Sequence, residues 1–249
     1  MSAEVALVTG GARRIGRAIV ERLAAEGYAI AIHCHRSLAE AQALAAGIVA
    51  QGGRACALQA DLVDPVQVEE LVPAAEAALG KVTLLVNNAS SFLVDDLRHL
   101  EVAQWNRQFS INLRAPSVLA GTMANRLPED RKGAIVNILD QRVRKLTPQY
   151  YSYTLSKAAL HAATTTMAQT LAPRIRVNAV APGPTFANPH DGEAGFAAEA
   201  DGTLLGRPVD PAAIAEAVIY LTRAESVTGQ TLAVDAGQQI GWRTPDILG

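Results

Sequence analysis

Two hydrophobic rhythms exchange along the chain. Val5-Ala-Leu-Val-Thr9 is apolar with no polar alternation, the pattern of a central parallel strand covered on both faces. Ile15, Ile19 and Leu23 then recur at helical spacing, with Arg17 and Glu21 pointing outward and Gly27 closing the segment. The exchange repeats, with further strands expected over residues 29–33, 55–59, 84–87, 133–138, 175–181 and 230–234. Among the helices between them, one is strongly marked: Asp64 as cap, Pro65 at the first position, Gln67 three after the cap and Gly80 as the stop. Ser37 with Glu40 suggests a capping box, residues 97–123 read as mostly helical despite Pro116, and Asp210-Pro211 opens a last helix that ends near Arg223. Strands alternating with helices predict an α/β fold, a doubly wound parallel sheet of about seven strands with helices on both faces, in a single domain over 1–249. Residues 184–205 have little periodicity, are rich in Gly, Ala and acids, and are long for a connection inside a compact domain.

Composition narrows the classes. With 249 residues, 49% apolar and 18% charged, the chain can bury one large core. A net charge of −2 gives no reason to expect nucleic acid or an anionic membrane as partner. No apolar run reaches the length of a membrane span, and Met1-Ser-Ala-Glu leads into a strand instead of forming a cationic targeting segment, so a cytoplasmic location is the default expectation. Cys34 and Cys56 fall on different expected strands and read as buried thiols; no His and Cys have ligand spacing, so no metal is expected.

The candidate chemistry centres on Tyr153 and Lys157. They stand four apart where Ala158, Leu160 and Ala163 mark a helix, so both leave from one face. A cation roughly 4 Å from the phenol, at an effective dielectric of about 20, is worth about 4 kcal/mol, or about 3 pKa units. That would bring a tyrosine toward working pH as an acid catalyst. Thr9-Gly-Gly-Ala-Arg-Arg-Ile-Gly16 sits between a strand and a helix, so Gly10 and Gly16 permit a tight turn and the free N–H groups of the helix face a pyrophosphate. About 20 residues past such a loop an NAD site carries a carboxylate for the ribose 2′-hydroxyl. Here the count reaches Arg36, in His33-Cys-His35-Arg36-Ser37. Guanidinium and hydroxyl can bond a 2′-phosphate that a carboxylate would repel, which favours NADPH; the competing reading leaves Arg36 as a solvated surface residue.

With Asn87-Asn-Ala-Ser90 after the fourth strand and Pro182-Gly183 after the sixth, these motifs resemble the short-chain dehydrogenase/reductase family along nearly the whole chain. The resemblance implies a Rossmann-type cofactor site of Gly10, Arg13, Arg14, Ile15, Gly16, His35, Arg36, Ser37, Asp61, Leu62, Asn88, Ala89, Ser90, Tyr153, Lys157, Pro182 and Gly183. It makes Tyr153 the proton donor, Lys157 its activator, and Asn112 a helix-distorting residue that holds a water in the proton path. It also implies a homo-oligomer, commonly a tetramer. The weakly patterned segment 184–205 reads as a mobile substrate lid, and Trp242 and Arg243 either reach a neighbour's site or pack locally. Ser90 in place of glycine, Arg14, the His-x-His-Arg-Ser run and Asp140 are together similar to the pteridine and dihydromonapterin reductase branch. There Arg14, Ser90, Phe92, Asp140 and Tyr153 would hold the substrate, Phe92 stacking on a pterin. The bland alternative for Phe92 is a core aromatic in a loop.

Asp140 stands thirteen residues before Tyr153, where most of the family carries serine. A carboxylate would repel a developing alkoxide and raise the phenol's pKa, which disfavours simple ketone reduction. A substrate protonated on a ring nitrogen forms no alkoxide, and a carboxyl group can pass that proton. Alternatively Asp140 turns away to pair with Arg142, Arg144 or Lys145. The expected activity is NADPH-dependent reduction of a pterin, with an NADPH-dependent carbonyl reductase or a non-catalytic NADPH-binding sensor as alternatives.

Overall fold

In the computed structural model, which describes residues 4–188 and 190–242, seven parallel strands form one sheet in the order β3-β2-β1-β4-β5-β6-β7. They are β1 (Val5–Val8), β2 (Ala29–Cys34), β3 (Ala55–Gln59), β4 (Val82–Asn87), β5 (Gly133–Ile138), β6 (Ile175–Pro182) and β7 (Thr231–Val234). Arg243 lies outside the described residues. The unalternating apolar runs are explained by burial on both faces. In β1, Ala6 and Val8 join the core beneath α1 (Arg14–Ala25), α2 (Leu38–Ala50) and α8 (Pro211–Arg223). Val5 and Leu7 join the opposite core, under α3 (Pro65–Leu79), α5 (Ala115–Arg126) and α6 (Tyr151–Leu171). Burial of these side chains, at about 25 cal/mol per Å² of apolar surface, is what holds the layers together.

Strand order reverses between β1 and β4, and this fold places ligands in the crevice beyond the carboxyl ends of those strands. The loops that follow β1, β4, β5 and β6 carry the candidate site. Asp64 caps α3 through Val66 N and Gln67 N, as the sequence predicts; the Gln67 amide donates to the Asp64 carboxylate, while its oxygen accepts from Asp61 N–H and not from the cap's own N–H.

Three local expectations are corrected. Ser37 occupies the cap position of α2, but its side chain makes no cap hydrogen bond; Glu40 instead pairs with Arg13, because the glycine loop brings that guanidinium against the start of α2. The helical stretch expected over 97–123 begins only at α4 (Val102–Phe109) and passes through a π-helical turn, Ser110–Arg114, before α5. Segment 184–205 is not aperiodic throughout, since it contains α7 (Gly192–Asp201).

Candidate active site

A cleft of about 680 Å³ runs from the glycine loop past Asn88, Ala89, Ser90 and Phe92 to Asp140, Tyr153 and Lys157, and under Pro182 to Phe186. A smaller cavity of about 250 Å³ adjoins it, lined by Gly10, Ala12, Arg13, Cys34, His35, Arg36, Ser37 and Arg107. The structure thus gathers the predicted residues of the second strand end at one small pocket beside the main cleft. Asp61 and Leu62 line the main cleft between them, and the His35 ring lies 3.6 Å from the Asp61 carboxylate.

The glycine loop is built for close approach. Gly10 has φ +62, and a Cβ on Gly16 would lie 2.1 Å from the Gly10 carbonyl oxygen and 2.6 Å from Asn88 Nδ2. Asn88 holds the loop by donating to the carbonyls of Thr9 and Gly10, while Thr9 Oγ1 accepts from the N–H groups of Asn88 and Ala89. Past β6, a Cβ on Gly183 would fall 2.7 Å from Asp235 Cα. A cradle this tight, opening on a helix N-terminus, fits a pyrophosphate, and the Arg13, Arg36 and Ser37 pocket fits a further phosphate.

Sequence reasoning missed His33, which anchors this cradle from beneath. Its buried ring accepts from Gly10 N–H at Nδ1 (3.2 Å) and faces the Ala60 carbonyl at Nε2 (3.1 Å), an arrangement that only the neutral ring with its proton on Nε2 satisfies. Burial pulls its pKa down to about 4, against a smaller opposing pull from the Ala60 bond.

At the other end of the cleft, Tyr153 Oη donates to Asp140 Oδ2 at 2.8 Å. Asp140 also accepts the Arg142 backbone N–H at Oδ1 (2.8 Å) and faces Arg142 Nη1 at 3.4 Å. It therefore turns toward the phenol and pairs with Arg142 at once, which the sequence had posed as alternatives. Lys157 is fully buried, donates to the Ile138 carbonyl at 2.7 Å, and has its Nζ 5.8 Å from the centre of the Tyr153 ring.

The expectation that the phenol lies near working pH is corrected here. Burial, then the charge of Asp140 and its hydrogen bond, hold Tyr153 well above the ordinary value; Arg142 and Ser90 oppose them more weakly. Lys157 itself is pulled down to about 8 by burial, partly offset by Asp140.

Asn112, in the π-helical turn, is fully buried and uses every hydrogen-bonding direction of its amide. Oδ1 accepts from Ser91 N–H and the Ser90 hydroxyl, and Nδ2 donates to the Ser91 carbonyl and to Ser156 Oγ. The π-helical turn is the helix distortion expected of Asn112, and its side chain, with no direction left for a water, positions the 90–92 loop against α6.

Phe92 stacks on Tyr150 (centroids 4.3 Å apart, 14° between planes) and meets the Tyr153 ring edge-on at 4.6 Å. Residues of the 184–205 segment pack over this cluster. Arg14 donates to the Ala187 carbonyl at 2.9 Å and lies over the Phe186 ring, and Tyr150 donates to Asp191 at 2.7 Å. In the sequence, Arg142 stood out only as a potential partner of Asp140, and Arg107, Tyr150, Glu199 and Gln238 not at all; no motif spacing links them, because four separate segments bring them together.

This parallel sheet, glycine cradle and buried Tyr-Lys pair define a nucleotide-dependent oxidoreductase site. Residues 4–191 match the short chain dehydrogenase family, and the chain belongs to it. Among solved structures, it is similar to a FolM alternative dihydrofolate reductase 1 from Brucella canis complexed with NADP, with 49% identity, 98% of this chain and 97% of that one covered, and a TM-score of 0.95. Curated relatives include pteridine reductase 1 of Leishmania tarentolae, 34% identical over 96% of this chain and 97% of its own length. A 3-oxoacyl-[acyl-carrier-protein] reductase of Synechocystis is 30% identical over 95% and 97%. No helix among the described residues is long and apolar enough to cross a membrane.

Proposed function

We propose that the protein reduces the C=N bond of a pterin with NADPH, dihydropterin to tetrahydropterin being the principal step and oxidised pterins or dihydrofolate further substrates. When bound, NADPH supplies the hydride. Gly10, Gly16 and Asn88 would hold its pyrophosphate, Arg13, Arg36 and Ser37 its 2′-phosphate, and Lys157 the nicotinamide ribose. NADP in the Brucella neighbour and the names of the folate and pteridine relatives support the same reading.

The observation that carries it is the 2.8 Å bond from Tyr153 to Asp140. A phenol held well above its ordinary pKa is a loaded donor at neutral pH, but leaving it as a phenolate beside a carboxylate is costly. Proton transfer from Tyr153 to substrate therefore has to be balanced by a proton taken up from solvent, which Asp140, 16% exposed and bonded to the phenol, would relay to its oxygen; a ring nitrogen suits this as the acceptor. An alkoxide forming beside that carboxylate would be repelled. Ser90 and Arg14 line the same cleft as Asp140 and would fix the ring's polar atoms, with Phe92 flanking it.

NADPH oxidation followed with dihydrobiopterin, dihydromonapterin and a panel of ketones tests this. Turnover of pterins, lost in Asp140→Ser with a gain on ketones, supports it; turnover of ketones alone refutes the substrate, and unchanged pterin rates in Asp140→Ser refute the relay.

A further inference from the structure

Three cations follow Asp140 in the chain, and the fold sends them different ways. Arg144 Nη2 donates to the Thr231 carbonyl at 3.0 Å, and Lys145 Nζ to the Gln238 carbonyl at 3.4 Å. Arg142 turns back. Its backbone N–H donates to Asp140 Oδ1 at 2.8 Å, and its Nη1 faces Oδ2 at 3.4 Å. Oδ2 is also the oxygen that accepts the Tyr153 hydroxyl, so a single carboxylate atom separates the guanidinium from the phenol. The Asp140 and Arg142 side chains are each 16% exposed, which limits how far solvent screens their interaction.

The guanidinium is held from its other sides as well. It lies over the Tyr150 and Phe92 rings at 5.3 and 5.7 Å, and its Nη2 is 3.9 Å from Glu199 of α7, whose carboxylate accepts from Gln238 Nε2 at 2.8 Å. Swinging away from Asp140 would forfeit these contacts. The charged and titratable groups around it are Asp140 on its own turn, Tyr150, Tyr153 and Lys157 at the start of α6, and Glu199 of α7. Beyond them, Asp191 accepts from the Tyr150 hydroxyl and His190 meets the Tyr150 ring edge-on. Three of these groups are carboxylates. Lys157, pulled down to about 8 by burial, loses its charge in mild alkali, whereas a guanidinium keeps its own. Burial and Asp140 hold the Tyr153 phenol up, and Arg142 pulls against them.

We propose that Arg142 is the positioning residue of the proton donor: it pins the Asp140 carboxylate against the Tyr153 hydroxyl and supplies the fixed positive charge against which the phenol releases its proton. This rests on Tyr153 as the donor and Asp140 as its relay, as read under the proposed function. When Tyr153 gives its proton to the substrate and Asp140 passes on one taken from solvent, the negative charge moves between phenol oxygen and carboxylate beside one guanidinium that need not reorganise. Arg142 acts here through Asp140, so its loss lowers kcat more than it raises KM.

The test is the pH dependence of kcat with dihydrobiopterin and NADPH in Arg142→Gln, Arg142→Lys and Glu199→Gln. The alkaline limb reports Tyr153, Lys157, Asp140 and Arg142 as one coupled unit, and loss of a cation moves every member of it the same way. In Arg142→Gln, kcat should fall at least about tenfold, the dihydrobiopterin KM should stay within about threefold, and the limb should move up by about one pH unit. Arg142→Lys keeps a charge beside Asp140 and should recover most of that shift. Glu199→Gln removes a carboxylate from the far side of the guanidinium and should move the limb down, so the inference does not depend on Arg142→Gln folding. A limb that stays in place in every variant that folds overturns the inference whatever happens to kcat, since a merely structural contact lowers the rate alike at all pH values. Shifts of the same sign in Arg142→Gln and Glu199→Gln overturn it too. Wild-type turnover of ketones and no pterin defeats the function proposed above, and the same limbs measured on the ketone then decide this inference separately; turnover of neither defeats both.

Discussion

Acid should loosen this protein through His33 before its carboxylates are fully titrated. The ring is buried, and its folded pKa of about 4 lies about 2.5 units below the ordinary value of 6.5. At about 1.4 kcal/mol per unit, this is about 3 kcal/mol. The sign follows from proton binding: between pH 6.5 and 4 the unfolded chain holds the His33 proton and the folded chain does not, so stability falls as pH drops through that window. Between pH 7.5 and 4.5, His33 should contribute roughly 2 to 3 kcal/mol of lost stability. Around the ring, Asp61 favours the charged form and His35 opposes it, and neither outweighs burial. Protonation would also put a second N–H where Nδ1 now accepts from Gly10, so the cradle should open first. Urea unfolding of wild type and His33→Gln at both pH values isolates the effect. The variant should be less stable at pH 7.5, having lost one of two buried bonds, yet should lose roughly 2 to 3 kcal/mol less on acidification. NADH affinity, which avoids titration of the 2′-phosphate, should weaken with acid in wild type and far less in the variant. Equal acid losses in the two proteins, or a His33 ring titrating near 6.5 by NMR, would refute the reasoning.

Two further substitutions probe the cradle and its support. Gly16→Ala adds a residue whose helix propensity is better by about 1 kcal/mol, so a loose fit would make it stabilising. With the new Cβ 2.1 Å from the Gly10 carbonyl oxygen, lower stability and at least a hundredfold weaker NADPH binding by fluorescence titration are expected instead; a stabilised variant with wild-type affinity would contradict the fit. Asn112→Ala strands the Ser91 N–H and carbonyl inside the core and removes one of the two bonds of Ser156 Oγ, which still donates to the Tyr153 carbonyl. At about 1 to 3 kcal/mol for each unpaired group, it should cost roughly 3 kcal/mol or more and lower Tm by about 6 to 12 °C; a loss of activity with unchanged Tm would instead restore Asn112 to the proton path.

What could be read in advance follows how locally each feature is encoded. The unalternating strands, the Asp64 cap and the Tyr153–Lys157 spacing are set within a few residues, and the parallel sheet follows from the alternation of strands and helices. The π-helical turn at Ser110–Arg114 has no local signature, because Asn112 is held by Ser90, Ser91 and Ser156 from other segments. Protonation was the hardest to read for the same reason. A four-residue spacing fixes which face two side chains share, but the phenol's pKa depends on total burial and on Asp140, thirteen residues away on another loop. In the fold, Lys157 turns to the Ile138 carbonyl and Asp140 takes the phenol's hydrogen bond. Local pattern therefore proposed both the proton donor and a carboxyl group to supply it, and the fold added the 2.8 Å bond that joins the donor to that group. That group is the carboxyl that separates this site from the serine-bearing majority of its family, so substrate choice and proton supply should change together when it is replaced.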